Sequence, residues 1–280
     1  QAILELYKVG DIIECDKVDT GYIKIKQILT ESKKVEELFS ERDDQGNIIK
    51  KNVYLYVYEI YDPKLITVND IKINIENLYD NIRELEKITL KEKIMAVIKA
   101  DAYGHGMMNI CEALIKTGIK KFAVATVEEA LKIREINDEV TILILGPIEN
   151  EYMSKILDRN IYFMITDFEE IEYIEKNRIN VNIFLKLDTG MGRVGFQEDE
   201  IPELIEKLKN CKYVNATGVF SHFSASDSDE DYTKLQEKRF KEISENIMKE
   251  IKSVKYRHIL NSFGSLKNHN SEYDFVRMGI

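Results

Sequence analysis

The chain has 280 residues, of which 44% are hydrophobic and 32% charged, and its formal net charge is -10. That is enough apolar material for one large domain with a small appendage, and an acidic chain without a Lys/Arg-rich block argues against nucleic-acid binding. No apolar stretch reaches membrane-spanning length and no secretory segment opens the chain, so a cytoplasmic protein without membrane contact is expected.

Residues 1–66 read as a β-rich segment of unknown function. Val9–Cys15, Gly21–Leu29 and Lys51–Tyr61 have the pattern of antiparallel strands, with a polar turn at Asp43-Asp44-Gln45-Gly46-Asn47. Tyr54, Tyr56 and Tyr58 share one strand face, because strand side chains alternate. Asp62-Pro63 marks a boundary, and a second domain follows over residues 67–280.

From about residue 71 the periodicity alternates between helix and strand. A helix is predicted from Ile75 to Lys87, with Ile75, Leu78, Ile82 and Leu85 on its apolar face. Eight apolar runs follow: Ile94–Lys99, Phe122–Thr126, Thr141–Leu145, Ile161–Ile165, Asn182–Leu187, Ala216–Phe220, Arg257–Leu260 and Phe275–Met278. Helical patterns such as Val127–Ile136, Asp167–Lys176 and Tyr232–Ile251 separate most of them. Eight parallel strands with intervening helices predict an α/β fold, a TIM-like (β/α)8 barrel preceded by the small β-rich segment. Functional residues are then expected at the C-terminal ends of the strands.

Those ends carry unusual polar groups. Lys99 closes the first strand, and a small, Gly-rich loop through Tyr103, Gly104 and Gly106 follows at once. An amine there, among apolar neighbours, is placed to act as nucleophile and base toward a carbonyl cofactor. Lys186 and Asp188-Thr189-Gly190-Met191-Gly192-Arg193-Val194-Gly195-Phe196 follow the fifth strand, and Ser221-His222-Phe223 the sixth. The seventh gives Asn261-Ser262 and the eighth Arg277-Met278-Gly279-Ile280. Taken singly, each is ordinary: a strand-end lysine snorkels to solvent, an isolated strand histidine is a satisfied core residue, and Asn261-Ser262 can equally cap the next segment. His105, His258 and His269 read as structural or solvated. Neither they nor Cys15, Cys111 and Cys211 make a metal-ligand set, and no metal is expected.

Together these motifs, separated and in order, resemble the alanine racemase family, pyridoxal-phosphate enzymes built on a (β/α) barrel. The resemblance covers about residues 67–280. It implies that Lys99 holds pyridoxal 5'-phosphate as an internal aldimine and serves as one acid/base group at the substrate Cα. It also implies that Tyr103, Ser262 and the backbone amides of Gly279 and Ile280 cradle the phosphate, with Asn261 beside them. Arg193 would bind the cofactor's phenolic oxygen and the substrate carboxylate, steadied by Lys186, which the family carbamylates. Arg277 would face the pyridine nitrogen, and His222 would bridge it to a second catalytic base. Because arginine keeps its proton, the ring would be a weaker electron sink, favouring inversion over transamination.

Family members continue past the eighth strand into a β-rich C-terminal domain. That domain gives a catalytic tyrosine to the partner subunit's site and a further phosphate-binding tyrosine. This chain stops at Ile280 and has neither, so a fragment, a truncated product or dependence on a missing piece is expected, with one of the two acid/base groups absent. Met278 also stands where proline is commoner. The leading reading is alanine racemase, an isomerase making D-alanine for bacterial peptidoglycan. The family is homodimeric, but it pairs through the absent domain, so a monomer or weak dimer is the expectation for this chain. The alternatives are a non-catalytic pyridoxal-phosphate-binding barrel that buffers the cofactor, or a racemase for serine, lysine or ornithine.

Overall fold

In a computed structural model the backbone is described for residues 12–14, 22–29, 41–42, 48–49, 55–61, 65–68, 71–153, 161–267 and 272–279, and side chains for those from residue 73 onward apart from Asn150 and Glu151. The turn at Asp43–Asn47, Tyr54 and the side chains of Tyr56 and Tyr58 lie outside that set, as do Cys15, His269 and Ile280. The chain divides into two compact units, Gln1–Ile75 and Glu76–Ile280.

In the first unit, β1 (Ile12–Glu14), β2 (Tyr22–Leu29) and β5 (Leu55–Tyr61) form an antiparallel sheet in the order β1-β2-β5. This matches the three strands expected there. Its register slips between Ile25 and Gln27, the mark of a bulge. The short strands β3 (Glu41–Arg42) and β4 (Ile48–Ile49) pair antiparallel, as do β6 (Leu65–Val68) and β7 (Ile71–Asn74).

The second unit is the barrel. Its strands are β8 (Ile94–Val97), β9 (Lys121–Val124), β10 (Thr141–Ile144), β11 (Ile161–Ile165), β12 (Val181–Lys186), β13 (Val214–Phe220), β14 (Tyr256–His258) and β15 (Val276–Gly279). They form one parallel sheet in the order β14-β13-β12-β11-β10-β9-β8-β15. Two backbone bonds draw the seam together: Asp274 N–H to the Arg257 carbonyl and Arg277 N–H to the Leu260 carbonyl, both 3.0 Å. The eight-stranded α/β barrel read from the sequence is the fold observed.

Helices separate the strands where the pattern calls for them. Val127–Ile136 starts at Thr126, whose hydroxyl accepts the Glu129 N–H, and buries Val127, Ala130 and Ile133. Phe168–Asn177 opens on a capping box between Asp167 and Glu170. Glu230–Glu250 starts at Asp229 and buries Phe240, Ile243 and Ile247. Both faces of the sheet are therefore covered. One side chain parity packs outward toward helices, including Phe122, Ile142, Phe163, Ile183 and Val219, all buried. The other builds a continuous inner layer from Met95, Val97, Ala123, Leu143, Met164, Phe184, Phe220 and Phe275. His258 joins that layer from β14, stacked 5.1 Å from Phe220 and edge-on to Phe184.

Candidate active site

Period-two alternation sets what sits above this layer. Two residues beyond Phe184, Phe220 and Phe275 come Lys186, His222 and Arg277; Lys99 lies two residues past the end of β8, near enough for its charge to act on His222. The same C-terminal rim thus receives the polar group from each of these strands.

Arg277 is the hub. It is 4% exposed, and its Nη2 donates to the Ser221 carbonyl at 2.6 Å and the Ile259 carbonyl at 3.2 Å. Nη2 also lies 3.0 Å from His222 Nδ1, and Nη1 lies 2.5 Å from His258 Nδ1. A guanidinium only donates, so both Nδ1 atoms accept and each imidazole proton is on Nε2. Burial pulls the Arg277 pKa down to about 9, which still leaves it cationic at neutral pH. Burial and the charge of Arg277, with help from Lys186, Arg193 and Lys99, press His222 down to about 3. His258, completely buried and beside Arg277, is also driven well below the ordinary histidine value. Two neutral imidazoles hold one buried cation.

Lys186 is 3% exposed, and its amine donates to the Leu187 carbonyl at 2.8 Å and to that of Val194 at 3.3 Å. Burial, then Arg277, lowers its pKa to about 8, with Arg193 adding to the shift and Asp188 opposing it. The burial anticipated for the amine of Lys99 is thus found at Lys186, while Lys99 is half-buried. The loop carrying Arg193 hangs on Asp188. One carboxylate oxygen accepts the N–H of Gly190, Met191 and Gly192 at 2.8–3.1 Å, and the other takes the N–H of Arg193 at 2.8 Å. Burial pushes the Asp188 pKa up, but these four bonds outweigh it and the net shift is downward. The Tyr232 hydroxyl clamps the same loop through the Gly190 carbonyl at 2.6 Å. Arg193 itself is exposed.

The first strand departs from expectation. It ends at Val97, and Lys99 leads into a turn in which Ala100, Asp101, Ala102 and Tyr103 have φ of 52°, 54°, 52° and 55°. Four successive residues with a Cβ in left-handed geometry carry no sequence signal. The turn brings Tyr103 beside β15. Tyr103, Asn261, Ser262, Phe263 and Gly279 line an open hollow of about 350 Å3. The Gly279 N–H meets Ser262 Oγ at 3.1 Å. A Cβ on Gly279 would stand 3.8 Å from both Ser262 Oγ and the Tyr103 hydroxyl, inside the hollow. Asn261 caps the following helix, accepting the Gly264 N–H at 2.9 Å and the Ser226 hydroxyl at 2.9 Å. His105 bonds the Ala102 carbonyl within the turn. His258, read from the sequence as structural or solvated, is buried in the core and also bonds Arg277, a link that one histidine in the short strand Tyr256–His258 does not signal.

A cradle of hydroxyls and a small residue, a lysine at the same rim and a buried cationic donor suit a phosphate-bearing aldehyde. A profile described as the N-terminal domain of alanine racemase matches residues 73–280. The chain belongs to the alanine racemase family. Alanine racemase of Carboxydothermus hydrogenoformans is 38% identical over 214 residues, covering 75% of this chain and 58% of that protein. Alanine racemase 2 of Caldanaerobacter subterraneus is 33% identical over 218 residues, covering 75% and 56%. Among solved structures, alanine racemase of Clostridium difficile 630 superposes with a TM-score of 0.67 at 28% identity, over 73% of this chain and 59% of that one. The enzyme from E. faecalis gives 0.67 at 27%, over 74% and 57%. The chain thus spans under three fifths of the length of these racemases. Among the described residues, no helix is long and apolar enough to cross a membrane.

Proposed function

We propose that this protein binds pyridoxal 5'-phosphate and interconverts L- and D-alanine, supplying D-alanine for peptidoglycan in the cytoplasm, and that it works as a homodimer. The observation that carries the reading is the meeting of Lys99, the Tyr103–Ser262–Gly279 cradle and the imidazole-bound Arg277 at one barrel rim. When bound, the cofactor supplies a carbonyl that captures the amino acid and a ring that takes up charge from its Cα.

The chain's own groups divide the remaining work. Lys99 holds the cofactor and moves a proton at the substrate Cα. Tyr103, Ser262 and Gly279 hold the phosphate, with Asn261 fixing the helix that bears Ser262; the amide of Ile280 is assigned the same task. Arg193, exposed and planar, takes the substrate carboxylate. Lys186 is assigned a carbamate that steadies Arg193, and its pKa of about 8 supplies the neutral amine such a reaction needs. Arg277 would face the ring nitrogen with a guanidinium that keeps its own proton, which would limit the charge the ring takes up. His222, neutral and held by Arg277, links it to the second acid/base group.

The test is exchange of the Cα proton of L- and D-alanine in heavy water with pyridoxal phosphate added, with serine, lysine and ornithine as comparison substrates. Exchange that is fastest with alanine and vanishes in Lys99→Ala supports the reading. Cofactor capture without exchange from any of them would show a carrier instead.

A further inference from the structure

The turn that presents Lys99 is one the chain does not favour. Ala100 to Tyr103 all lie in left-handed geometry, which costs about 1–2 kcal/mol for each residue bearing a Cβ. Such a turn persists only where its surroundings over-determine it. Its far end is tied locally. The Gly104 N–H bonds the Ala100 and Asp101 carbonyls, the Gly106 N–H bonds the Asp101 carbonyl, and Asp101 Oδ1 accepts the Met107 N–H at 2.8 Å.

The near end, at Lys99 itself, has one local tie, from the Ala102 N–H to the Ile98 carbonyl at 2.9 Å, and is also held from outside. Glu129 Oε1 accepts the Ala100 N–H at 2.7 Å, and Oε2 accepts the Ala125 N–H at 2.8 Å. Ala100 follows β8 and Ala125 follows β9, just beyond the last paired residues, Val97 and Ala123, and the Ile98 N–H to Ala123 carbonyl bond. One carboxylate therefore carries the ladder past the point where the two backbones separate. The backbone of Glu129 is itself pinned, its N–H bonded to Thr126 Oγ1 at 3.2 Å. Glu170 provides a comparison. It occupies the same third position after its helix cap, yet among the described residues it accepts only from its own loop, Thr166 and Asp167. Reaching across to the neighbouring strand's exit separates Glu129 from Glu170.

We propose that Glu129 is a positioning residue for Lys99. By gripping the N–H of Ala100 it fixes the peptide plane joining Lys99 to Ala100, and so the direction in which the amine leaves the backbone. The proposal rests on the reading of Lys99 as the cofactor amine.

The experiment compares the unaltered protein with Glu129→Gln, Glu129→Asp and Glu170→Gln. The readouts are circular dichroism, the apparent Kd for covalent capture of pyridoxal phosphate, and the pH at which the bound cofactor's absorption band changes. Glutamine keeps the shape but sets a donor against one of the two N–H groups. Glu129→Gln is expected to fold, to weaken capture tenfold or more, and to shift the pH of the spectral change. Glu129→Asp keeps both oxygens on a shorter stem and is expected to show a smaller loss, which keeps the test open if the glutamine variant fails to fold. Glu170→Gln is expected to match the unaltered protein in capture and spectrum. Equal capture in all variants, or equal losses at Glu129 and Glu170, would overturn the proposal. No capture by the unaltered protein would instead overturn the assignment of Lys99, and the proposal with it.

Discussion

Arg277 Nη2 stands 3.0 Å from His222 Nδ1, a buried cation held by a neutral imidazole. A carboxylate there would neutralise the guanidinium and rank as a buried ion pair. Imidazole and carbonyl acceptors take up its two Nη groups while leaving its charge uncancelled. The arrangement suits a group whose task is to face a basic ring atom and keep its own proton.

Arg277→Lys tests the hub. An ammonium is a compact charge with three donors, and it cannot reproduce the guanidinium's bonds to Ser221, His222 and His258 at once. Leaving buried acceptors unpaired costs about 1–3 kcal/mol each. The urea midpoint is expected to fall by the equivalent of about 2–4 kcal/mol in total. An unchanged midpoint would mean that the network contributes nothing to stability.

Acid should unfold this protein through its histidines. The folded pKa of His222 is about 3, while the unfolded chain binds that proton near 6.5. Between those values the unfolded state holds more protons, so stability falls as pH falls. His222 alone should remove about 2 kcal/mol by pH 5, and His258 shifts in the same direction. Urea titrations at pH 7 and pH 5 check this, and equal midpoints would contradict it. In NMR the His222 ring should not titrate between pH 5 and 8.

Lys186 should take up carbon dioxide. With a pKa of about 8, about a tenth of it is neutral at pH 7, against under about one in a thousand for an ordinary lysine. Labelled bicarbonate is expected to give a carbamate carbon resonance that disappears in Lys186→Met. Persistence of the signal in that variant would place the modification elsewhere.

Asp188→Asn should loosen the Arg193 loop. A neutral amide oxygen replaces a carboxylate that accepts four backbone N–H groups, and about 1–3 kcal/mol of stability should be lost. Without the opposing charge the pKa of Lys186 should drop further, and its carbamate should form more readily at pH 7. Weaker carbamate formation would contradict the sign.

Much of this was legible beforehand. Ile161–Ile165 and Val127–Ile136 lie where their patterns place them, because fully buried strands and capped amphipathic helices announce themselves. The polar strand ends were visible as residues out of keeping with their apolar runs. The left-handed turn was not, since Ala100 to Tyr103 contain no glycine. Nor was the exchange of settings between Lys99 and Lys186, because depth in a barrel depends on where each strand stops. His258 and Glu129 act through partners 19 and 29 residues away, a relation that only packing reveals.

Gly279→Ala isolates the cradle. Its Cβ would meet no protein atom closer than 3.8 Å, so stability should be unchanged. Capture of pyridoxal phosphate should weaken tenfold or more, while capture of unphosphorylated pyridoxal should not. Equal effects on both would remove the phosphate from this hollow.

The most direct measurement is borohydride reduction of the protein with stoichiometric pyridoxal phosphate, followed by peptide mass mapping. The account predicts one phosphopyridoxyl group, on Lys99, lost in Lys99→Ala. A label on Lys186, or one scattered over surface lysines, would contradict it.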